Sequence, residues 1–322
     1  MKSNNIEISI IVCTYNRENR IEAAVESLLN QTYNSELYEI VLVDNNSDDT
    51  TMKVCKRIIR KHSDKQINYF FEEKPGLSHA RNRGIVESNG NIVAFIDDDA
   101  FAEKEWVENI VKLFRDTSIN AVGGKVLPLY ESPRPDWLPD GIDTVLTILD
   151  LGDQVKSFEY PYNSPCGTNM AFRKLIFDKT GFFDPDLGRI GKKLISAEET
   201  DLIFRMKAYN FEFIYSPDCV VYHTVPITRL NKSFIRKRFF YQGYSIAMME
   251  LKRNSLLNII NRNLRLILKK NTDKRPIKEN MPAHKAKSHF FYEIKLILYF
   301  SYIFYLFSNY IAGKLQQRLN GR

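Results

Sequence analysis

The chain has 322 residues, 44% of them hydrophobic and 26% charged, with a formal net charge of +7. That length can bury a large core, and the composition is that of a folded globular protein rather than a disordered or fibrous one. The four cysteines, Cys13, Cys55, Cys166 and Cys219, form no CxxC pair; this argues against a zinc site or disulfide framework and for thiols in a reducing compartment.

Met1 to Glu7 is polar and lacks an apolar signal core, so secretion is not expected. The charge is split along the chain. Residues 1–225 carry 26 Lys and Arg against 35 Asp and Glu, whereas residues 226–322 carry 20 against 4. An acidic body with a basic tail implies two tasks, the tail facing an anionic membrane or nucleic acid. No nucleic-acid-binding module accompanies the charge, so nucleic acid is not expected as a partner.

Ile8 to Cys13 reads as a strand, and Ile21, Ala24, Val25, Leu28 and Leu29 then recur at helical spacing. Ile40 to Val43 is a second apolar strand, followed by a helix marked by Val54, Ile58 and Ile59. Strands over Ile67–Phe71 and Ile92–Ile96 flank a helix from Ser78 to Glu87, and Trp106, Ile110, Val111 and Phe114 mark the next. Fully apolar strands alternating with helices predict a mostly parallel sheet covered on both faces. No GxGxxG follows the first strand and no GxxxxGK[ST] occurs, which removes the main support for a nicotinamide or P-loop site.

Directly behind Ile92–Ile96 stand Asp97, Asp98 and Asp99. Three adjacent anions repel one another. They suit a divalent cation, since carboxylates are the ligands Mg²⁺ and Mn²⁺ prefer, or a solvated acidic turn that caps the following helix. From Leu127 to Pro165 six prolines break the rhythm around Trp137, which is expected to pack rather than to stack on a sugar. A second ordered block runs from Cys166 to His223 and contains a helix over Asp201–Tyr209.

The strand ends carry Thr14-Tyr15-Asn16-Arg17, Asp44-Asn45-Asn46-Ser47 and the aspartate triplet, with Gly76 to Gly84 between them. In a parallel sheet these ends converge on one edge, where ligands bind. The inventory suits a nucleoside diphosphate held through a metal and an arginine.

Cys13-Thr14-Tyr15-Asn16-Arg17, Val43-Asp44-Asn45, Ala80-Arg81-Asn82 and Asp97-Asp98-Asp99, in that order, resemble family 2 glycosyltransferases, which are inverting enzymes with the GT-A fold. The resemblance continues in Cys166 to Arg173, Gly181 to Asp184, Ala197 to Leu202 and Val220 to His223, and covers residues 6 to about 250. It implies that Thr14, Tyr15, Arg17, Asp44, Asn46, Arg81, Asp97 and Asp98 contact the donor. It implies Mn²⁺ or Mg²⁺ on Asp97, Asp99 and His223. It implies Glu199 as general base with Glu198 as its rival, although the family usually shows Glu-Asp where this chain has Glu198-Glu199. The implied substrates are a nucleotide-sugar donor, expected to be UDP-linked, and a glycan or glycolipid acceptor. Two other readings of these residues are a catalytically silent nucleotide-sugar-binding protein and a metal-dependent nucleotidyltransferase. The simple alternatives for single residues are an Asx turn at Asp44 and surface charge at Arg81.

In the tail, Leu256 to Leu268 alternates with Arg262, Arg265, Lys269 and Lys270 as in a basic amphipathic helix, and Lys274, Arg275, Lys278, Lys285 and Lys287 follow. Leu296 to Ala312 is an uncharged run of 17 residues, at the short limit for a membrane span. Lys314, Arg318 and Arg322 behind it disfavour spanning, so an interfacial helix or one packed on another tail helix is expected. The expected organisation is a GT-A domain over 1–230, with a nucleotide-binding half (1–125) and an acceptor half (126–230). A helical, basic region (231–322) follows. The expected location is the cytoplasmic face of the cell membrane.

Overall fold

The structure, a computed structural model, describes residues 5–158, 164–259, 261 and 285–320. It forms two compact units, one of Met1–Pro133, Gly141–Lys193 and Glu198–Arg229, the other of Arg134–Asp140, Leu194–Ala197 and Leu230–Arg322.

The first unit is built on a nine-stranded sheet: β1 (Ile8–Thr14), β2 (Tyr38–Asp44), β3 (Ile67–Phe71), β4 (Ile92–Asp97), β5 (Ala100–Ala102), β6 (Ile119–Tyr130), β7 (Lys156–Ser157), β8 (Met170–Arg173) and β9 (Glu212–Val225). The order is β3-β2-β1-β4-β8-β6-β9-β5, with β7 on β9. The first four strands are parallel, as their continuous apolar runs predict. β8 then runs antiparallel between β4 and β6, so the second half is mixed rather than parallel.

Alternation along β1 serves two layers. Ile8, Ile10 and Val12 face Val25 of α1 (Ile21–Leu29), Ile58 of α2 (Thr51–Lys61) and Ile110 of α4 (Trp106–Leu113). Ile11 faces the other way, toward Ala80 and Ile85 of α3 (Leu77–Glu87). The same layer takes in Phe177 of α5 (Ile176–Thr180) and Leu202 of α6 (Glu198–Ala208). The interior carries one buried carboxylate at the far end of the sheet. Glu39 accepts from Ser9 Oγ at 2.7 Å and from the Asn89 backbone N–H at 2.7 Å, so its burial is compensated.

Two boundaries differ from the sequence expectation. β6 continues through Leu127 to Tyr130 because its ladder with β9 continues to Tyr130 opposite Val225, so the irregular stretch starts later. Helix α6 begins at Glu198, not Asp201. Ala197 stands at φ 79°, in the left-handed region, and this turns the chain sharply into the helix. Pro161 lies outside the described residues.

In the second unit, α7 (Lys232–Leu251) starts on an Asn231 cap whose side chain accepts from the Phe234 N–H at 2.9 Å. It pairs with α8 (Lys285–Asn320). Gly243 makes that approach possible, since a Cβ there would lie 2.1 Å from the Leu298 carbonyl oxygen. The opposite side of α8 leaves Leu296, Tyr299, Phe300, Ile303, Phe304 and Phe307 exposed. Lys287–Ile311 is long and apolar enough to cross a membrane by length and composition. Trp137 packs edge-to-face on Phe290 at 5.4 Å, which favours the packing role. Of the amphipathic stretch in the tail, Arg262, Arg265, Lys269 and Lys270 lie outside the described residues, as do Lys274, Arg275, Lys278 and Arg322.

The α3–β1 contact is tight enough to test. A Cβ on Gly84 would fall 2.4 Å from Ile11 Cγ2. Gly84→Ala is expected to lower stability by about 1–3 kcal/mol, the usual cost of overpacking. Urea unfolding should show a lower midpoint at unchanged slope; an unchanged midpoint would refute the tight contact.

Candidate active site

Register brings the polar strand ends into line. Thr14 pairs with Asp44 across β1–β2, and Cys13 with Asp97 across β1–β4. The short strand β5 then turns the chain back against β9 and sets Ala100 opposite His223. The Thr224 N–H donates to the Asp99 carbonyl at 3.0 Å, so Asp99 and His223 are held together by backbone.

One pocket opens at this edge. Thr14, Tyr15, Arg17, the three aspartates and His223 all line it. Its rim is shaped by interlocked loops. Asn16 and Asn46 stand at φ 53° and 62°, and the Asn16 N–H donates to Ser47 Oγ at 2.9 Å. Asn45 Oδ1 accepts from the Gly76 N–H at 2.7 Å, where φ is 140°, a conformation that favours glycine. Tyr15 stands 46% exposed at the pocket, its ring free for contact.

The acidic cluster is arranged for a cation. Asp97, Asp99 and His223 each offer a ligand atom, all within 4.8 Å of one another. His223 Nε2 lies 3.4 Å from Asp99 Oδ1 and 3.2 Å from Arg229 Nη1. Two carboxylates and an imidazole are a donor set that fits Mn²⁺ or Mg²⁺. Arg17 neutralises the cluster from one side, 3.3 Å from Asp98 and 3.8 Å from Asp99, and Arg229 from the other, 3.4 Å from Asp99.

These contacts divide the three carboxyls. Burial, then the charge of Asp99, raises Asp97 and pushes Asp98 up to about 7. Asp99 is also buried, but His223, Arg229 and Arg17 outweigh that and hold it well below the usual carboxylate range. Burial pushes the neighbouring Cys13 thiol up to about 12, so it is no nucleophile at neutral pH.

The remaining expected residues lie outside the pocket lining. Asp44 is fully buried; its Oδ1 accepts from the Ser47 N–H at 3.0 Å and its Oδ2 from Tyr69 Oη at 2.9 Å. The Ser47 bond ties the carboxylate to the backbone three residues on, one residue further than in an Asx turn. Arg81 is no surface charge. It is 2% exposed, and its Nη1 lies 3.1 Å from Glu198 Oε1 and 3.1 Å from Glu199 Oε1. Glu198 is buried while Glu199 keeps 18% of its side chain exposed. Burial, then the charge of Glu199, pushes Glu198 up to about 8, so it is largely protonated at neutral pH.

Sequence reasoning missed Arg229 and Arg189, which also line the pocket. Arg229 lies six residues beyond His223 and was counted with the basic tail. It also missed Gly167, where a Cβ would fall 2.1 Å from Glu199 Oε1.

A sheet of this order with an acidic pocket at its carboxyl edge defines a GT-A type glycosyltransferase architecture. The profile described as glycosyl transferase family 2 matches residues 9–181. The chain belongs to that family and is a glycosyltransferase of an inverting family. It is 30% identical over 253 residues to the glucosyl-dolichyl phosphate glucuronosyltransferase of Haloferax volcanii, covering 76% of this chain and 78% of that one. It is 33% identical over 252 residues to glycosyltransferase AglE of the same organism, covering 78% and 77%. The fold is similar to that of a Pyrobaculum calidifontis mannosyltransferase solved with GDP-Man and Mn²⁺, at TM-score 0.59 and 20% identity, covering 96% of this chain and 75% of that one.

The raised Glu198 carboxyl gives a pH test. The folded chain holds this proton more tightly than the unfolded chain, from 4.5 up to about 8. Its contribution to stability is therefore greatest below pH 4.5 and is lost as pH rises through about 8. Glu198→Gln lacks the titration, so its melting temperature relative to the parent should climb steadily from pH 5 to 8.5. A pH-independent difference would contradict the assignment.

Proposed function

We propose that the protein transfers a sugar from a nucleotide-sugar donor, UDP-linked by preference, to a hydroxyl of a lipid-linked glycan, with inversion. The observation that carries this reading is the meeting of Asp97, Asp99 and His223 in the pocket that Tyr15 and three arginines, Arg17, Arg189 and Arg229, also line. The names of the relatives support a lipid-linked acceptor, since the first acts on a glucosyl-dolichyl phosphate.

In this mechanism Tyr15 stacks on the nucleobase and Thr14 sits beside it. Arg17 and Arg229 exchange their aspartate partners for diphosphate oxygens. A divalent ion on Asp97, Asp99 and His223 would neutralise charge on the departing diphosphate, and the imidazole tilts the choice toward Mn²⁺. Asp98 pairs with Arg17 or reaches the ribose. Asp44 and Asn46 act from behind, by shaping the loop that borders the base. Glu199 takes the proton from the acceptor hydroxyl as that oxygen bonds to the anomeric carbon. The bond from the anomeric carbon to the diphosphate breaks on the opposite face, and the nucleoside diphosphate leaves.

Donor identity is read by thermal shift with Mn²⁺ and UDP-glucose, UDP-N-acetylglucosamine, UDP-glucuronic acid or GDP-mannose, because a bound ligand raises apparent stability. Glu199→Gln should lower transfer by about 10²–10⁴-fold, the usual worth of a general base, with donor binding retained. Undiminished turnover would sink the base assignment, and release of pyrophosphate instead of nucleoside diphosphate would indicate a nucleotidyltransferase.

The second unit supports a peripheral membrane location on the cytoplasmic face. The exposed aromatic side of α8 lies within residues 230–322, which hold 19 basic and 4 acidic residues. Like charges on two copies would repel, whereas anionic lipid attracts them. The full chain should float with phosphatidylglycerol vesicles and less so in high salt. Replacing Phe300, Phe304 and Phe307 together with serine should leave it in the soluble fraction; flotation of that variant would refute docking through this face.

A further inference from the structure

Arg81 was expected at the nucleotide, yet its surroundings point elsewhere. Its side chain is 3% exposed, and its guanidinium lies over the rings of Phe95, at 5.9 Å, and Phe183, at 5.4 Å. One nitrogen, Nη1, reaches both Glu198 and Glu199 at 3.1 Å. The carboxylates of Glu199 and then Glu198 offset the burial of this cation and keep it charged.

Two further features hold the same unit. The backbone enters the glutamate pair through Ala197 at φ 79°, a conformation that a non-glycine residue adopts only when its surroundings impose it. Gly167 closes the other side. A Cβ there would fall 2.1 Å from Glu199 Oε1 and 2.2 Å from Arg81 Nη2, wedged between the two partners.

A single guanidinium balances one carboxylate. Glu198 is the more buried of the two, at 4% side-chain exposure against 18% for Glu199. Burial therefore favours the protonated form of Glu198, and Glu199 is the partner of Arg81 that keeps a path to solvent. The partly exposed carboxylate is thus oriented by Arg81 and open to solvent on its other side.

We infer that Arg81 is a positioning residue for the reaction, clamping Glu199 in one orientation and balancing its charge, with Gly167 leaving room for the clamp. It does not hold the nucleotide. The inference rests on Glu199 being the base, and the test separates the two. The clamp matters because a misaligned group costs rate without costing binding.

The test uses the full chain, Mn²⁺, UDP as binding probe and whichever of the four nucleotide sugars named above gives the largest thermal shift. Arg81→Lys keeps the charge and loses the fork. It should lower kcat by about 10–100-fold while UDP affinity and donor KM stay within about twofold. The double variant Arg81→Gln with Glu198→Gln removes the cation together with the buried acid. Loss of an adjacent positive charge disfavours the ionised carboxylate, so its acidic limb in kcat against pH should move to higher pH. Gly167→Ala should reproduce the kcat loss with UDP binding intact, and it serves if the Arg81 variants fail to fold.

An Arg81→Lys variant with unchanged kcat but UDP affinity weakened more than tenfold would overturn the inference and make Arg81 a nucleotide contact. Unchanged kcat in Arg81→Lys and Gly167→Ala and an unmoved acidic limb in the double variant, with Glu199→Gln inactive, would overturn the clamp and leave the base standing. Full activity in Glu199→Gln would overturn both.

Discussion

Everything at the carboxyl edge depends on how three consecutive carboxyls are tolerated at the end of a buried strand. Asp98 and Asp99 are nearly inaccessible to water, and burial alone would leave them neutral. Arg17 arrives from the loop after β1 and Arg229 from the segment beyond β9. Each is placed by sheet register rather than by sequence proximity. The outcome is graded, with Asp99 firmly ionised and its two neighbours held closer to neutrality. Three full charges do not accumulate in a dry environment.

The first half of this fold was legible in the sequence for a simple reason. β1, β2 and β4 are buried on both faces, so they appear as unbroken apolar runs that periodicity detects. The aspartate triplet was legible as well, because charge at the end of such a run is conspicuous. β5 was not. Three residues, Ala100–Ala102, carry no usable period, and their partner is a strand that follows much later in the chain. The same distance hid Arg229. Counting charge along the chain assigned it to a basic tail, whereas its side chain belongs with Asp99.

The start of α6 was misread on different grounds. Glu198 and Glu199 stand ahead of the helix that periodicity marks from Asp201, and a left-handed alanine before them has no compositional signature. Nor can a sequence show that one arginine serves both carboxylates. Arg81 sits on α3, whose helical pattern is read correctly, but which neighbour its side chain meets is a tertiary fact. The resemblance implied a donor contact for Arg81, and in the structure two carboxylates hold it.

The ladder between β5 and β9 has a mechanical consequence. Asp99 and His223 are brought together by a backbone bond from Thr224 and by a strand of three residues, which is short enough to fray. A ligand that grips both side chains ties the two strands across that bond and suppresses the fraying. Occupancy of the pocket is thereby written into the protection of one amide, that of Thr224, against exchange with solvent.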